Sequence, residues 1–427
     1  MNVGIIESTS SIRWKGFIVQ ATETLVESEG PVCSVGDLCV YGADEYAVGE
    51  VIGFRGKRVL SIPLRGSLGI RYGTSICSTG KSPELRVGHA LIGRVVDAMC
   101  RPIDGRGPIV LEECVPLDQE APAPFDRSVI QHCLTTGIRA IDAFLTCGRG
   151  QRVGIFGGSG VGKSTLVGMM SRNTDADLIV LGLVGERGRE VQEMVQTLGT
   201  GMQRSIVVVS TSDQTPLMRA RAAQTATAIS QHFAAQGKHV LLVVDSLTRF
   251  AMAQREIGLA MGEMPTSRGY TPSVFQKLAR LLERAGNYKN GSVTGFYSVL
   301  MEGDDQQEIL VDTVRSILDG HIVLDRNLAA AAQYPPIQVL DSISRLMSTV
   351  AGADHVSAAR SLRTLMATYR QKEDLVRIGA YAKGSDPELD RAIAIWPKLR
   401  QFLIQAEDEQ TSISEVHGQL QSLAHHA

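Results

Sequence analysis

The stretch "QRVGIFGGSGVGKS", residues 151–164, decides the fold. It begins as a short apolar segment typical of a buried strand, and it continues into a glycine-rich loop that ends in Lys163 and Ser164. The loop fits the pattern GxxxxGK[ST], in which backbone amides and a helix N-terminus surround a phosphate. In that pattern Lys163 reaches the β- and γ-phosphate oxygens and Ser164 ligates Mg²⁺. Because a strand precedes the loop and a helix follows it, we predict a nucleotide-binding P-loop rather than a chance glycine turn.

Two further apolar runs predict strands that end in a carboxylate. "HVLLVVDS" ends at Asp245, and "DLIVLGLVGERGRE" delivers Glu186 with Arg187 and Arg189 beside it. Nucleotide sites form at the carboxyl ends of parallel strands. There Asp245 is expected to hold the Mg²⁺ shell, and Glu186 to polarise the attacking water. From spacing alone, Asp245 also fits a helix cap, and Glu186 fits a surface ion cluster equally well.

The pattern of apolar, glycine and polar residues changes on both sides of this region. Upstream, short β-branched segments such as "GFIVQAT" and "RVLSIPL" alternate with glycine turns, which predicts a small β-barrel or sandwich. From about residue 150 to 345, apolar β-branched runs alternate with helical stretches, which predicts a parallel sheet covered on both faces. After about residue 350 the pattern is helical, and "SDPE" predicts a capping box between Ser385 and Glu388. Pro397 is expected to kink that helix.

Composition excludes several classes of protein. The chain has 427 residues, of which 44% are hydrophobic and 21% charged, and its formal net charge is −2. This balance is ordinary for a globular protein and gives no strong field toward nucleic acid or anionic lipid. The 7 cysteines contain no CxxC pair, so we expect reduced thiols. No secretory signal or apolar run of about 20 residues is present, which predicts a cytoplasmic protein.

Several longer motifs together resemble the ATPases of type III protein export, the flagellar and virulence-injectisome family related to the catalytic subunit of the F1 ATPase. The similarity runs from about residue 17 to about residue 405. The motifs that carry it are "GGSGVGKST", "GERGREV", "DSLTRFAMAQREIGLAMGE", "RGYTPSVFQKLARLLERAGN", "EGDDQQ" and "ILDGHIVLDR".

The resemblance implies an α/β protein with three domains. An N-terminal β-barrel is expected over residues 1–85, a RecA-like ATPase domain over 86–348, and a C-terminal helical domain over 349–427. It also implies Mg²⁺-dependent hydrolysis of ATP, with Glu186 as the general base beside Lys163. Tyr334, in "AAQYPPIQVL", matches the aromatic residue that packs on adenine, although an isolated tyrosine beside prolines is usually ordinary core. The residues assigned to nucleotide contact are Gly157, Gly158, Ser159, Gly160, Val161, Gly162, Lys163, Ser164, Thr165, Arg187 and Tyr334.

The arginine of "SISR", Arg345, matches a finger that one subunit of a homohexamer extends toward its neighbour's γ-phosphate. Charge spreads over the equatorial phosphate oxygens in the transition state, and an arginine supplied in trans stabilises it. The alternative is that Arg345 forms an intramolecular salt bridge, as surface arginines commonly do.

The resemblance further implies partners and a location. The loop 379–390 resembles a region that faces a central stalk protein, and the N-terminal segment "MNVGIIESTSS" corresponds to the part that binds a stator-like regulator. Chaperone–substrate complexes are expected on the C-terminal domain, and the hexamer is expected at the cytoplasmic face of the inner membrane, without nucleic acid.

Other assignments stay open. "EGDDQQ" and "GYTPSVF" favour the flagellar branch over the injectisome branch. A Rho-type RNA translocase would need a basic groove with stacking aromatics, whereas aromatic residues make up only 5% of this chain. A non-catalytic nucleotide-binding subunit would lack Glu186. A rotary F1 catalytic subunit would differ in the exact amino-acid sequences of the motifs quoted above.

Overall fold

The computed structural model describes residues 14–42, 48–301 and 308–426. Within them, six antiparallel strands close a barrel in the order β1-β2-β5-β4-β3-β6. Their bounds are β1 Lys15–Ala21, β2 Val26–Glu29, β3 Leu38–Tyr41, β4 Val48–Arg55, β5 Arg58–Pro63 and β6 Ser75–Ser78. Alternate residues such as Ile18, Val51 and Ile76 point inward and form the barrel core.

Short strands connect the barrel to the central sheet. β7 Glu84–Val87 pairs antiparallel with β9 Glu113–Pro116, while β8 Val95–Asp97 between them joins the edge of the central sheet. A small ribbon of β10 Cys133–Leu134 and β11 Cys147–Gly148 flanks helix α1 Arg139–Phe144.

The central sheet has the order β19-β18-β12-β17-β15-β13-β14-β8 in the described part of the chain. Its remaining strands are β12 Arg152–Gly157, β13 Leu178–Glu186, β14 Ser205–Thr211, β15 His239–Asp245, β16 Gly286–Asn287, β17 Ser292–Leu300, β18 Gly320–Val323 and β19 Ile343–Ser344. The strands from β18 to β8 run parallel, whereas β19 pairs antiparallel with β18 and β16 pairs antiparallel with β17. The parallel sheet expected from the apolar runs is confirmed.

Both faces of this sheet are buried, because alternate strand residues enter different cores. Leu242 and Val244 pack with helices α4 to α7, whereas Leu241 and Val243 pack with α2, α3 and the C-terminal helices. The helices are α2 Lys163–Asn173, α3 Gly188–Leu198, α4 Pro216–Ala235, α5 Leu247–Met261, α6 Pro272–Glu283, α7 Ile309–Ile317, α8 Arg326–Ala330 and α9 Met347–Val350. Short 3₁₀ turns lie at His89–Leu91, Pro124–Asp126, Gly199–Arg204 and Ser267–Gly269.

The C-terminal part is helical, as predicted, with α10 Ala353–Arg377, α11 Pro387–Leu403 and α12 Ile413–His425. The predicted capping box is wrong by one residue. Asp386 caps α11 by accepting hydrogen bonds from the backbone N–H of Glu388 and of Leu389, both at 3.1 Å. Pro387 at the first helical position sets the cap at Asp386. α11 continues through Pro397 as one helix.

None of the helices in the described ranges is long and apolar enough to cross a membrane.

The domain limits at residues 85 and 348 stay predictions.

Candidate functional site

The glycine-rich loop joins the end of β12 to the start of α2, as the sequence predicts. Gly160 and Gly162 have φ values of 75° and 104°, which favour glycine because side chains with a Cβ rarely adopt them. Lys163 is only 8% exposed. Its Nζ donates hydrogen bonds to the carbonyl oxygens of Gly157 at 2.8 Å and Gly158 at 2.6 Å. The loop thus wraps around the lysine ammonium at the helix N-terminus.

The rest of the loop divides into exposed and buried positions. Ser164, in the first turn of α2, is exposed, and Thr165 beside it is half-buried. Ser159 is exposed on the loop, while Val161 is buried in the core beneath it. The side chain of Ser164 is therefore available to a ligand at the end of the helix.

Asp245 ends β15, and β17 is the strand between β15 and β12. The residue is 7% exposed. Ser298, on the neighbouring strand β17, donates a hydrogen bond from Oγ to Oδ1 of Asp245. Asp245 thus lies at the same edge of the sheet as the P-loop, held from the intervening strand.

Glu186 ends β13, the next strand beyond β15. Nη2 of Arg249 donates to Oε2 of Glu186 at 3.2 Å, and Nη1 of the same guanidinium donates to the carbonyl oxygen of Gly185. Burial raises the pKa of Glu186 to about 8. A hydrogen bond with Glu190 and the charge of Asp245 act in the same direction, and the charge of Arg249 opposes them. Glu186 is therefore a partly desolvated carboxyl poised near neutral pH, as general bases are.

Arg187 stands just outside this cluster. It immediately precedes α3, its side chain is exposed, and its Nη1 lies 3.4 Å from Oε1 of Glu190. This long, solvated pair leaves the guanidinium only weakly held. Its nucleotide contact stays a prediction.

Tyr334 is 48% exposed and belongs to a segment that passes close to the P-loop. A Cβ placed on Gly162 would lie 3.9 Å from Cδ of Pro336, two residues after Tyr334. The carbonyl oxygen of Tyr334 accepts a hydrogen bond from the backbone N–H of Gln405 at 2.8 Å. The tyrosine segment therefore lies between the P-loop and the end of α11, in a position that fits the predicted adenine contact.

Arg345 lies at the opposite edge of the sheet. Its backbone N–H donates to the carbonyl oxygen of Asp319 at 3.0 Å, and the Asp319 carboxylate accepts from the backbone N–H of Arg152 at 3.0 Å. Arg152 begins β12, which runs for 6 residues to Gly157. At about 3.3 Å per residue, the strand separates the two edges by roughly 16 Å. The structure thus does not bring Arg345 to the phosphate loop of its own chain.

The side chain of Arg345 is exposed. Among the described residues, no carboxylate forms an ion pair with it, so the alternative of an intramolecular salt bridge gains no support from this part of the chain. By contrast Arg370, a nearby arginine, forms an ion pair with Asp341 at 2.8 Å.

Sequence reasoning missed two residues that contact the predicted carboxylates, Arg249 and Ser298. Arg249 stands in the quoted motif "DSLTRFAMAQREIGLAMGE" without an assigned role. Ser298 is identifiable only once β15 and β17 are known to be neighbours. The acidic residues of the motif "EGDDQQ", Glu302, Asp304 and Asp305, could approach the site, but they lie outside the described residues. The segment expected to bind a regulator also lies outside them.

Two protein-family models match this chain. The nucleotide-binding domain model of the ATP synthase alpha/beta family matches residues 137–344. The T3SS EscN ATPase C-terminal domain model matches residues 351–422. Together the two matches span most of the central sheet and the C-terminal helices.

Individual relatives match over nearly the whole chain. The flagellum-specific ATP synthase of Bacillus subtilis is 49% identical and covers 99% of this chain and 98% of the relative. The type 3 secretion system ATPase of Sinorhizobium fredii is 45% identical, covering 96% and 92%. The structure of the assembled ATPase EscN from enteropathogenic E. coli superposes with a TM-score of 0.92 at 42% identity, covering 96% of this chain and 100% of that one.

Proposed function

Because the chain belongs to the ATP synthase alpha/beta family, and within it to the ATPases of type III export, we propose that it hydrolyses ATP to energise flagellar protein export. The predicted family and the barrel, parallel-sheet and helical architecture are confirmed. The observation that carries hydrolysis is the convergence of the P-loop, Asp245 and Glu186 at one edge of the parallel sheet. That edge is where nucleotide sites form in such folds.

The roles within the site follow from the donors and acceptors. The loop amides and Lys163 hold the phosphates, and Thr165, Arg187 and Tyr334 complete the nucleotide contacts. Ser164 and Asp245 offer the hydroxyl and carboxylate oxygens that suit Mg²⁺. Held by these two residues, Mg²⁺ would supply positive charge that offsets the charge developing on the phosphate oxygens.

Glu186 orients the attacking water and accepts its proton. This requires the ionised form, which burial disfavours and the charge of Arg249 favours. The pairing of Glu186 with Arg249 therefore keeps a buried carboxylate available as a base.

The active form is a homohexamer in which Arg345 completes the site of the adjacent subunit. The support is geometric, since Arg345 is exposed and lies roughly 16 Å along β12 from its own P-loop. An exposed residue that lies far from the site of its own chain can serve a neighbour's site in a ring of heterologous contacts. EscN, a relative in this family, has been solved in an assembled form.

Further partners follow the same reasoning. EscN has also been solved in complex with its central stalk EscO, and loop 379–390 is the proposed stalk-facing segment here. A stator-like regulator, chaperone–substrate complexes on the C-terminal domain and a peripheral position at the cytoplasmic face of the inner membrane complete the proposal.

The flagellar branch is favoured over the injectisome branch by the relatives themselves. Flagellum-specific relatives reach 49%, 48% and 47% identity, whereas the type 3 secretion system ATPases of Sinorhizobium fredii and Xanthomonas euvesicatoria reach 45%. The family matches also count against a Rho-type RNA translocase.

Two measurements test this function. The specific ATPase activity should rise with protein concentration in parallel with the oligomer mass measured by sedimentation. In the source bacterium, Lys163→Ala in the chromosomal gene should stop secretion of flagellar filament subunits. Normal filament secretion by that strain would contradict the flagellar assignment even if ATP hydrolysis were confirmed in vitro.

A further inference from the structure

Ser298 contacts the candidate site from β17, a strand that carries none of the predicted site residues. In the pairing of β15 with β17, Val244 lies opposite Tyr297, so the next residues along, Asp245 and Ser298, also face each other. Side chains at opposed positions of neighbouring strands point to the same face of the sheet. Ser298 is fully buried, and its hydroxyl donates to Oδ1 of Asp245.

This bond holds one oxygen of the carboxylate and leaves the other available. Among the described residues, no group donates a hydrogen bond to Oδ2 of Asp245, while Oδ1 is occupied by Ser298. The χ2 torsion of an aspartate is broad, so its carboxylate plane is set by contacts rather than by rotamer preference. A hydroxyl donor to a carboxylate is a charge-assisted bond and is correspondingly strong.

A second contact fixes the same turn. The backbone N–H of Leu300, at the end of β17, donates to Oγ1 of Thr248 in the first turn of α5 at 2.9 Å. Ser298 and Leu300 of β17 therefore both contact the turn between β15 and α5, Ser298 at Asp245 and Leu300 at Thr248. With the backbone held by Thr248, the orientation of the carboxylate depends mainly on Ser298.

We infer that Ser298 is a positioning residue that orients the Asp245 carboxylate so that Oδ2 faces the Mg²⁺ of bound Mg²⁺-nucleotide. The inference rests on the proposed function, because it requires that Asp245 serve the metal. Partners of this kind, which orient a ligating carboxylate, typically contribute a factor of about 10 to 100 in metal affinity.

A serine elsewhere on the same strand provides the matched control. Ser292, at the opposite end of β17, is also buried, and its Oγ lies 3.0 Å from Nδ1 of His239. It contacts the half-buried His239 at the amino end of β15, far from the P-loop. Ser292→Ala thus makes the same chemical change on the same strand without touching Asp245.

The experiment measures binding of mant-ADP to the full chain, in EDTA and across a titration of free Mg²⁺. For Ser298→Ala we expect the free Mg²⁺ that gives half-maximal enhancement of binding to rise about 10-fold. Affinity in EDTA should stay unchanged, because the hydroxyl of Ser298 donates its hydrogen bond to Asp245, which we propose serves the metal rather than the phosphates. Ser292→Ala should match the wild type in both conditions. Ser298→Cys, which retains a weak donor of similar volume, should shift the Mg²⁺ midpoint less than alanine does.

Three outcomes overturn the inference and identify where it fails. A wild-type Mg²⁺ midpoint in Ser298→Ala, or an equal loss of affinity with and without Mg²⁺, would mean that Ser298 only packs the strand. If the wild type itself showed no Mg²⁺-dependent enhancement, the proposed metal role of Asp245 would fail first and the inference with it.

Discussion

Two arginines at opposite edges of the sheet differ in their contacts within the chain. Arg249, at the carboxyl edge, is paired with Glu186 and with the carbonyl oxygen of Gly185. Arg345, at the amino edge, is exposed and has no ion-pair partner among the described residues. The carboxyl edge is thus organised within the chain, whereas the amino edge presents a cation outward.

The difference indicates which functions a single subunit can perform. Lys163, Asp245 and Glu186 are positioned by bonds inside the chain, so nucleotide binding should not require a neighbour. Full stabilisation of the transition state also requires an arginine near the γ-phosphate, in addition to Lys163. Arg345 is too far along the sheet to supply that arginine in its own chain. Turnover should therefore depend on assembly, and binding should not.

The largest expected effect is that of Arg345→Ala. The loss of a trans arginine should lower kcat by about 10³ to 10⁵ while leaving the Kd for mant-ADP within about twofold. Steady-state ATPase assays at a concentration where the wild type is assembled, together with nucleotide titrations, measure both quantities. Arg86→Ala removes an exposed arginine on β7 and serves as the control. If Arg345→Ala had the same kcat as this control, Arg345 would not contribute to turnover.

Glu186→Gln should lower kcat by about 10² to 10⁴, the usual contribution of a general base. The neutral amide can still contact Arg249, so the site should stay folded and bind nucleotide. Single-turnover hydrolysis separates the chemical step from product release. Glu193→Gln, which removes an exposed carboxylate on α3 that pairs with Arg189, should leave the rate unchanged.

The pH profile should report the ionisation of Glu186. Because burial raises its pKa to about 8, kcat/KM should increase with pH and level off above that value. Arg249 favours the ionised form, so Arg249→Gln should move this rising limb to higher pH. If the pH dependence of kcat/KM in Arg249→Gln matched that of the wild type, Arg249 would not affect the pKa of Glu186.

The smallest expected effect is on thermal stability, and it should appear at the carboxyl edge of the sheet but not at the amino edge. With a pKa raised from 4.5 to about 8, Glu186 binds more protons in the folded state than in the unfolded state between these values. The free energy of unfolding therefore falls as pH rises through that window. Glu186→Gln should raise the Tm by about 2 to 4 °C at pH 8 and by less at pH 5. Arg345→Ala should leave the Tm unchanged at both pH values, and scanning calorimetry measures these shifts.

Much of this arrangement is readable from the sequence, because the relevant residues follow apolar runs. Glu186 and Asp245 each stand at the end of a strand that its β-branched residues identify, and Lys163 follows such a strand across the glycine loop. Parallel strands place such ends at one edge of the sheet. Strand order is not readable in the same way. Ser298 becomes a neighbour of Asp245 only because β17 lies beside β15, and Arg345 is separated from the P-loop only because β19 pairs at the amino end of β18.

The exact position of a helix cap is also hard to predict, because neighbouring residues can have similar capping preferences. Both Ser385 and Asp386 can cap a helix, and Pro387 decided in favour of Asp386 by fixing the first helical position. The pairing of Arg249 with Glu186 joins residues of different elements, α5 and β13, which no spacing rule connects.

The most direct test of a site completed between subunits is to mix two inactive variants. Arg345→Ala retains an intact Glu186, and Glu186→Gln retains an intact Arg345. Equimolar random mixing in a ring should therefore create competent interfaces at about one in four positions, because each contact is heterologous. ATPase activity of the mixture should recover toward about a quarter of the wild-type rate, while each variant alone stays near background. A mixture no more active than its components, or Arg345→Ala active alone, would contradict completion of the site in trans.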